Sequence, residues 1–89
     1  MTDVIPVLFG ARWRIPVCLL QQKRVRHIFG PAEAIRYMRT CFNDQSSPAY
    51  SRAVEVCFAA LRCEADPDVA RSFFLAAYEG ELEAQRRCH

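Results

Sequence analysis

Five cysteines (Cys18, Cys41, Cys57, Cys63 and Cys88) and two histidines (His27 and His89) are the side chains of this 89-residue chain best suited to nucleophilic or metal chemistry. Nucleophilic catalysis needs a thiol beside a base. A hairpin turning near Gln22 would set residues whose numbers sum to about 45 opposite one another, bringing His27 to Cys18, where an imidazole would lower the thiol pKa. A strand histidine beside a structural cysteine is the commoner arrangement, so no catalytic residue is expected. For a metal, Cys88 and His89 would need Cys63 or His27 to complete three or four ligands at about 2.0 to 2.3 Å, and a fraying terminus does not hold them there. Neither a metal nor a cofactor is expected. Glu64, Asp66 and Asp68 cluster where a helix starts and are accounted for by capping, while Glu79, Glu81 and Glu83 read as a solvated helix face. Gly10, Gly30 and Gly80 are isolated from one another, so no glycine-rich phosphate loop is present.

The elements that would position these groups follow from periodicity. Arg12 to Leu20 alternates, with Trp13, Ile15, Val17 and Leu19 on one face and Arg12, Arg14, Pro16 and Cys18 on the other, the period of a half-buried strand. Pro16 cannot donate to a ladder, which points to an edge or to an outward-facing N–H site there. After Gln21-Gln22-Lys23 the alternation resumes from Arg24 to Phe29, with Val25, His27 and Phe29 opposed to Arg24, Arg26 and Ile28 and both faces mixed. Gly30-Pro31-Ala32-Glu33 begins a helix, because proline at the first position loses no hydrogen bond and a carboxylate there meets the positive end of the dipole. Ile35, Met38 and Phe42, with Ala34 and Cys41, form its stripe, and it should end near Phe42. Ser47-Pro48 opens a second helix, the expected centre of the core, whose stripe is Tyr50, Ala53, Val54, Cys57 and Leu61. Asp66-Pro67-Asp68 opens a third, with Ala70, Phe73, Phe74, Ala77 and Tyr78 buried; Gly80 should weaken it by about 1 kcal/mol.

The expected fold is therefore α+β, an N-terminal β-hairpin packed against three α-helices. Residues 1–10 form an arm, or add Val4 to Phe9 as a third short strand. Residues 11–80 form one ββααα domain, and residues 81–89 a charged tail that frays or orders only against a partner. With 52% hydrophobic residues the chain has enough apolar surface for one core, and 89 residues are too few for two. The cysteines are odd in number and contain no C-x-x-C pair, which argues for reduced thiols. No basic stretch precedes the first apolar run, which Pro6 interrupts, and nothing nears the roughly 20 apolar residues of a spanning helix. The expected location is the cytoplasm, with no membrane partner.

Charge is unevenly spread. Residues 1–40 hold seven basic side chains against Asp3 and Glu33, a formal +5, and residues 41–89 hold five basic against eight acidic, a formal −3. Arg12, Arg14, Lys23, Arg24 and Arg26 would be gathered by the hairpin into one partner surface. Phosphate contacts need only such charges, so nucleic acid is one candidate partner. The preferred partner is a second copy or another protein, with the N-terminal arm and first strand in the interface, because the chain's ends carry opposite charge, the first strand offers an edge and Val4 to Phe9 is an apolar arm with no evident place in the core.

Trp13 with Pro16-Val17, then Ala34, Tyr50, Ala53, Cys57 and Ala60-Leu61, then Ala70-Arg71 with Phe74 and Ala77, resembles the small bacterial family catalogued as domain of unknown function 982, over about Trp13 to Glu79. Two residues depart from its pattern: Phe42 stands where a tryptophan is expected, and Cys63 where a glycine should follow the second helix. The resemblance implies a compact domain without an assigned activity. The functional expectation is a non-enzymatic interaction or regulatory module that self-associates, with nucleic-acid binding through the basic hairpin as the alternative.

Overall fold

The computed structural model describes residues 11–21 and 23–87. Two antiparallel strands, β1 (Val17–Gln21) and β2 (Arg24–Ile28), form a two-stranded sheet and are followed by helices α1 (Pro31–Cys41), α2 (Pro48–Leu61) and α3 (Pro67–Arg87). The fold is α+β, a hairpin followed by three helices. The arm expected at Val4 to Phe9 lies outside the described residues, as do Cys88 and His89. Among the described residues no helix is long and apolar enough to cross a membrane.

Cys18 faces His27, Leu19 faces Arg26 and Leu20 faces Val25 across the hairpin. The tight turn requires a left-handed residue, and Lys23 adopts φ 65°. Because opposed residues share a face, Val17, Leu19, Arg26 and Ile28 point one way and Cys18, Leu20, Val25 and His27 the other. The core takes the first set: Val17, Leu19 and Ile28 are buried.

The first strand is shorter than its alternation implies. Arg12 to Pro16 lies outside β1, and the chain rejoins the sheet only where the Trp13 N–H donates to the Phe29 carbonyl at 2.7 Å. The first segment thus takes four steps, Trp13 to Val17, against one step from Phe29 to Ile28. Pro16 has no N–H for the ladder, and the bend is held from α3: Arg71 Nε donates to the Ile15 carbonyl at 2.8 Å, and the Arg14 N–H donates to Asp68 Oδ1 at 3.4 Å. Trp13 is buried as expected, but Ile15, expected on the same face, is 65% exposed.

The three proline-marked helix starts are where the sequence places them. At α1, which has no side-chain cap on Gly30, Glu33 Oε2 accepts from the Phe29 N–H at 3.4 Å. At α2, Ser47 Oγ accepts from the Tyr50 N–H at 3.1 Å. Before α3, Asp66 Oδ1 accepts from the Asp68 N–H at 2.8 Å. The helices close on Met38, Ala53, Cys57, Ala70 and Phe74, all fully buried. An aromatic cluster joins the hairpin segment to the helices, with Phe74 5.8 Å from Trp13 and Tyr37 standing edge-on to Phe74 at 6.1 Å. Phe73, expected in the buried stripe of α3, is 37% exposed because the stripe runs Ala70, Phe74, Ala77, Glu81 at helical spacing, and Phe73 sits one position off it.

The end of α2 makes sense of Cys63. Its φ is 61°, its N–H donates to Ala60, and the Glu64 N–H donates to Ala59 at 2.8 Å, the pairing of a Schellman motif. Glycine suits that position, and cysteine there holds a strained left-handed backbone. Cys63→Gly is expected to stabilise the fold by about 0.5 to 1 kcal/mol, the relief of strain outweighing the added freedom of the unfolded chain. A melt of the variant at or below the parent temperature would contradict this.

The third helix also differs from expectation at its far end. It continues through Gly80 to Arg87, and Glu81, expected on a solvated face, is only 6% exposed. Its Oε1 accepts from the Asn43 N–H and, at 3.3 Å, from the Asp44 N–H, covering donors of the loop after α1. This anchor, 38 residues from Asn43, holds the segment predicted to fray.

Candidate interaction surface

The five basic residues picked out from the sequence are all exposed. Arg12 lies with its guanidinium 5.9 Å from the Phe29 ring centre. Arg14 reaches Asp68 at 3.6 Å, a surface pair of little energetic weight. Lys23 is in the turn. Arg24 and Arg26 project from the same face as Leu19, where the hairpin overhangs the helices, and the Arg26 guanidinium covers the Tyr37 ring at 5.2 Å. Neither Lys23, Arg24 nor Arg26 has an acidic partner within ion-pair distance among the described residues.

The opposite face of the hairpin is different in kind. Leu20 is 70% exposed and Val25, directly across from it, 62%. Beside them Cys18 faces His27, both exposed, and the His27 ring stacks on Phe29 at 5.9 Å with an interplanar angle of 21°. None of these outward residues carries a fixed charge. Sequence reasoning passed over Leu20, although the signal was there: in a period-two strand, the neighbours Leu19 and Leu20 must point to opposite faces.

Two shallow grooves flank α2 and share Phe58. One, of about 390 Å³, lies between α1 and α2 over Ile35 and Leu61, with Arg36 and Arg39 on its rim. The other, of about 440 Å³, runs past Tyr50, Val54 and Arg62. Among the described residues, no three Cys, His, Asp or Glu side chains of one chain converge where they could hold a metal ion.

Two titratable groups inside the core, Cys57 and Tyr37, are held protonated. Burial pushes the Cys57 thiol from its ordinary 9.0 to about 12. Burial first, then the neighbouring Tyr78 and Cys41, pushes the Tyr37 hydroxyl from 10.0 to about 12. Two consequences are measurable. In the native state a thiol reagent should modify exposed Cys18 and Cys63 while leaving Cys57 untouched, as peptide mapping would show. Both shifts are upward, so the stability they carry is complete below the unfolded values and is lost as pH climbs towards about 12. The urea midpoint should therefore fall between pH 9 and 12, and a Cys57→Ala variant should show a shallower fall starting nearer pH 10.

Comparison with curated proteins and with solved structures finds no match. The family model described as protein of unknown function (DUF982) matches residues 15–82, most of the strands and helices above, and the chain belongs to that family.

Proposed function

We propose that this chain is a non-enzymatic interaction module that pairs with a second copy of itself through the outward face of its hairpin. One observation carries the reading: Leu20 and Val25, opposed and mostly exposed, form an apolar sheet face without fixed charge. An uncharged face can meet its own copy without setting like charges together, which a pairing along Arg24 and Arg26 cannot. Leu20 and Val25 are already about a third buried, so covering the rest of both in both copies contributes roughly 4 to 8 kcal/mol, in the lower part of the range for the cost of association, and the face by itself supports at most a weak, reversible dimer.

Light scattering between about 1 and 100 μM should show a concentration-dependent dimer with a dissociation constant in or above the micromolar range. Leu20→Lys should abolish it while leaving the circular dichroism unchanged. A monomer throughout the range, or a dimer indifferent to Leu20→Lys, would remove this reading. So would a monomer that dimerises only when residues 1–10 are deleted, because the chain's own N-terminus would then be the occupant.

A second reading rests on Lys23, Arg24 and Arg26, which line the hairpin tip without an acidic partner among the described residues. A two-stranded ribbon fits a major groove, and such charges bind phosphates. It requires salt-sensitive DNA or RNA retention that is lost in an Arg24→Ala, Arg26→Ala double variant. No retention at about 50 mM salt rules it out.

A further inference from the structure

We infer that Cys18 and His27 are half of a zinc site, completed by the same two residues of a second copy. The inference rests on the homodimer proposed above and adds a ligand to it. Three observations support it. The two residues face each other directly across the hairpin, a position that places their Cβ atoms about 4.5 to 5.5 Å apart, close enough for one thiolate and one imidazole to chelate a single ion. Both are exposed, and neither side chain makes a hydrogen bond to another described residue. Both lie on the uncharged outward face with Leu20 and Val25, so a two-fold pairing of that face whose axis passes beside Cys18 and His27 brings two such pairs together.

The dimensions agree. Sheets packed face to face stand about 10 Å apart, leaving about 5 Å from each backbone to the midplane. A side chain as short as cysteine, with a metal–sulfur bond of about 2.3 Å, spans that distance. Two thiolates and two imidazoles are a tetrahedral set that suits zinc, while harder cations such as magnesium or calcium prefer oxygen ligands. On binding, each thiol gives up its proton to solvent and no redox change occurs. The metal would also add affinity to what the four small apolar side chains supply, tightening the weak dimer.

The test is a titration of the full chain with Co²⁺ under a phosphine reductant, monitored by absorbance and light scattering. The expected result is the visible absorption of tetrahedral cobalt–thiolate, saturating at one ion per two chains and bleached by Zn²⁺, with the dimer tightened at least roughly tenfold relative to EDTA. Cys18→Ser should abolish the band and His27→Gln should weaken it at least roughly tenfold, whereas Cys63→Ser and Cys88→Ser should leave it intact. Absence of the band, saturation at one ion per chain, or survival in Cys18→Ser would each overturn the zinc site. A dimer that forms equally well in EDTA and gives no cobalt band would overturn the zinc site while leaving the homodimer standing. A monomer with and without metal would remove both.

Discussion

Gly30→Ala is expected to lower stability by about 3 kcal/mol, at the upper end of what overpacking costs, and to reduce the melting temperature by on the order of 15 °C. Nothing about the Gly30 backbone demands glycine: its φ of −171° is extended. The constraint is steric. A methyl group there would run into the carbonyl oxygen of Ala11 and lie 3.2 Å from the Ala11 carbonyl carbon and 3.3 Å from Arg12 Cα. These are backbone atoms and cannot rotate away like a side chain. The Trp13-to-Phe29 hydrogen bond fixes that strand against the residue preceding Gly30, so relief requires moving either the buried Trp13 or the start of α1. Gly80→Ala is the matched control, since the space around a Cβ there is empty and the change should gain about 1 kcal/mol of helix propensity. A Gly30→Ala melt within a few degrees of the parent would show that the segment yields.

The second large effect belongs to Glu81. Glu81→Leu keeps most of the packed volume but removes the acceptor for the Asn43 and Asp44 N–H groups, and about 2 to 3 kcal/mol should be lost in urea unfolding. Glu81→Gln retains an oxygen in that position and should cost less than about 1 kcal/mol. If the two variants are equally destabilised, the contribution comes from charge rather than from the hydrogen bonds. A chain ending after Glu79 should be destabilised at least as much as Glu81→Leu; residues that merely frayed would be dispensable.

What was legible in the sequence was local. Each helix announces itself by a proline at its first position beside a polar or glycine residue, a signal confined to a few neighbouring residues, and the hairpin register follows from the shortness of its turn. The glycine that the family resemblance implies at position 63 coincides with a left-handed backbone, which cysteine occupies here. What was not legible depended on distant partners. Alternation assigns Ile15 to the buried face, but Arg71 and Asp68, more than fifty residues on, bend the chain there. The mixed faces of β2 reflect a hairpin that overhangs the helices, so Arg26 shares the inward side with Ile28 and lays its guanidinium over Tyr37 while staying exposed. Glu81 resembles its exposed neighbours Glu79 and Glu83 in every respect except the loop it meets. The candidate surface was similarly hidden: basic residues attracted attention, whereas the uncharged face was visible only as the leucine left over once Leu19 had been placed.

The contacts of α3 also set an order of events for the chain. Phe74 receives Trp13, Arg71 and Asp68 hold the bend before β1, and Glu81 closes the loop after α1, so α3, made after the other elements described, contacts the segment before β1, both other helices and the loop between them. A nascent chain that has emerged only as far as Leu61 has its hairpin and two helices but not the element that covers them. Productive folding must wait for α3 to clear the ribosome, and until then Trp13 and the α2 stripe are surfaces that a chaperone would recognise.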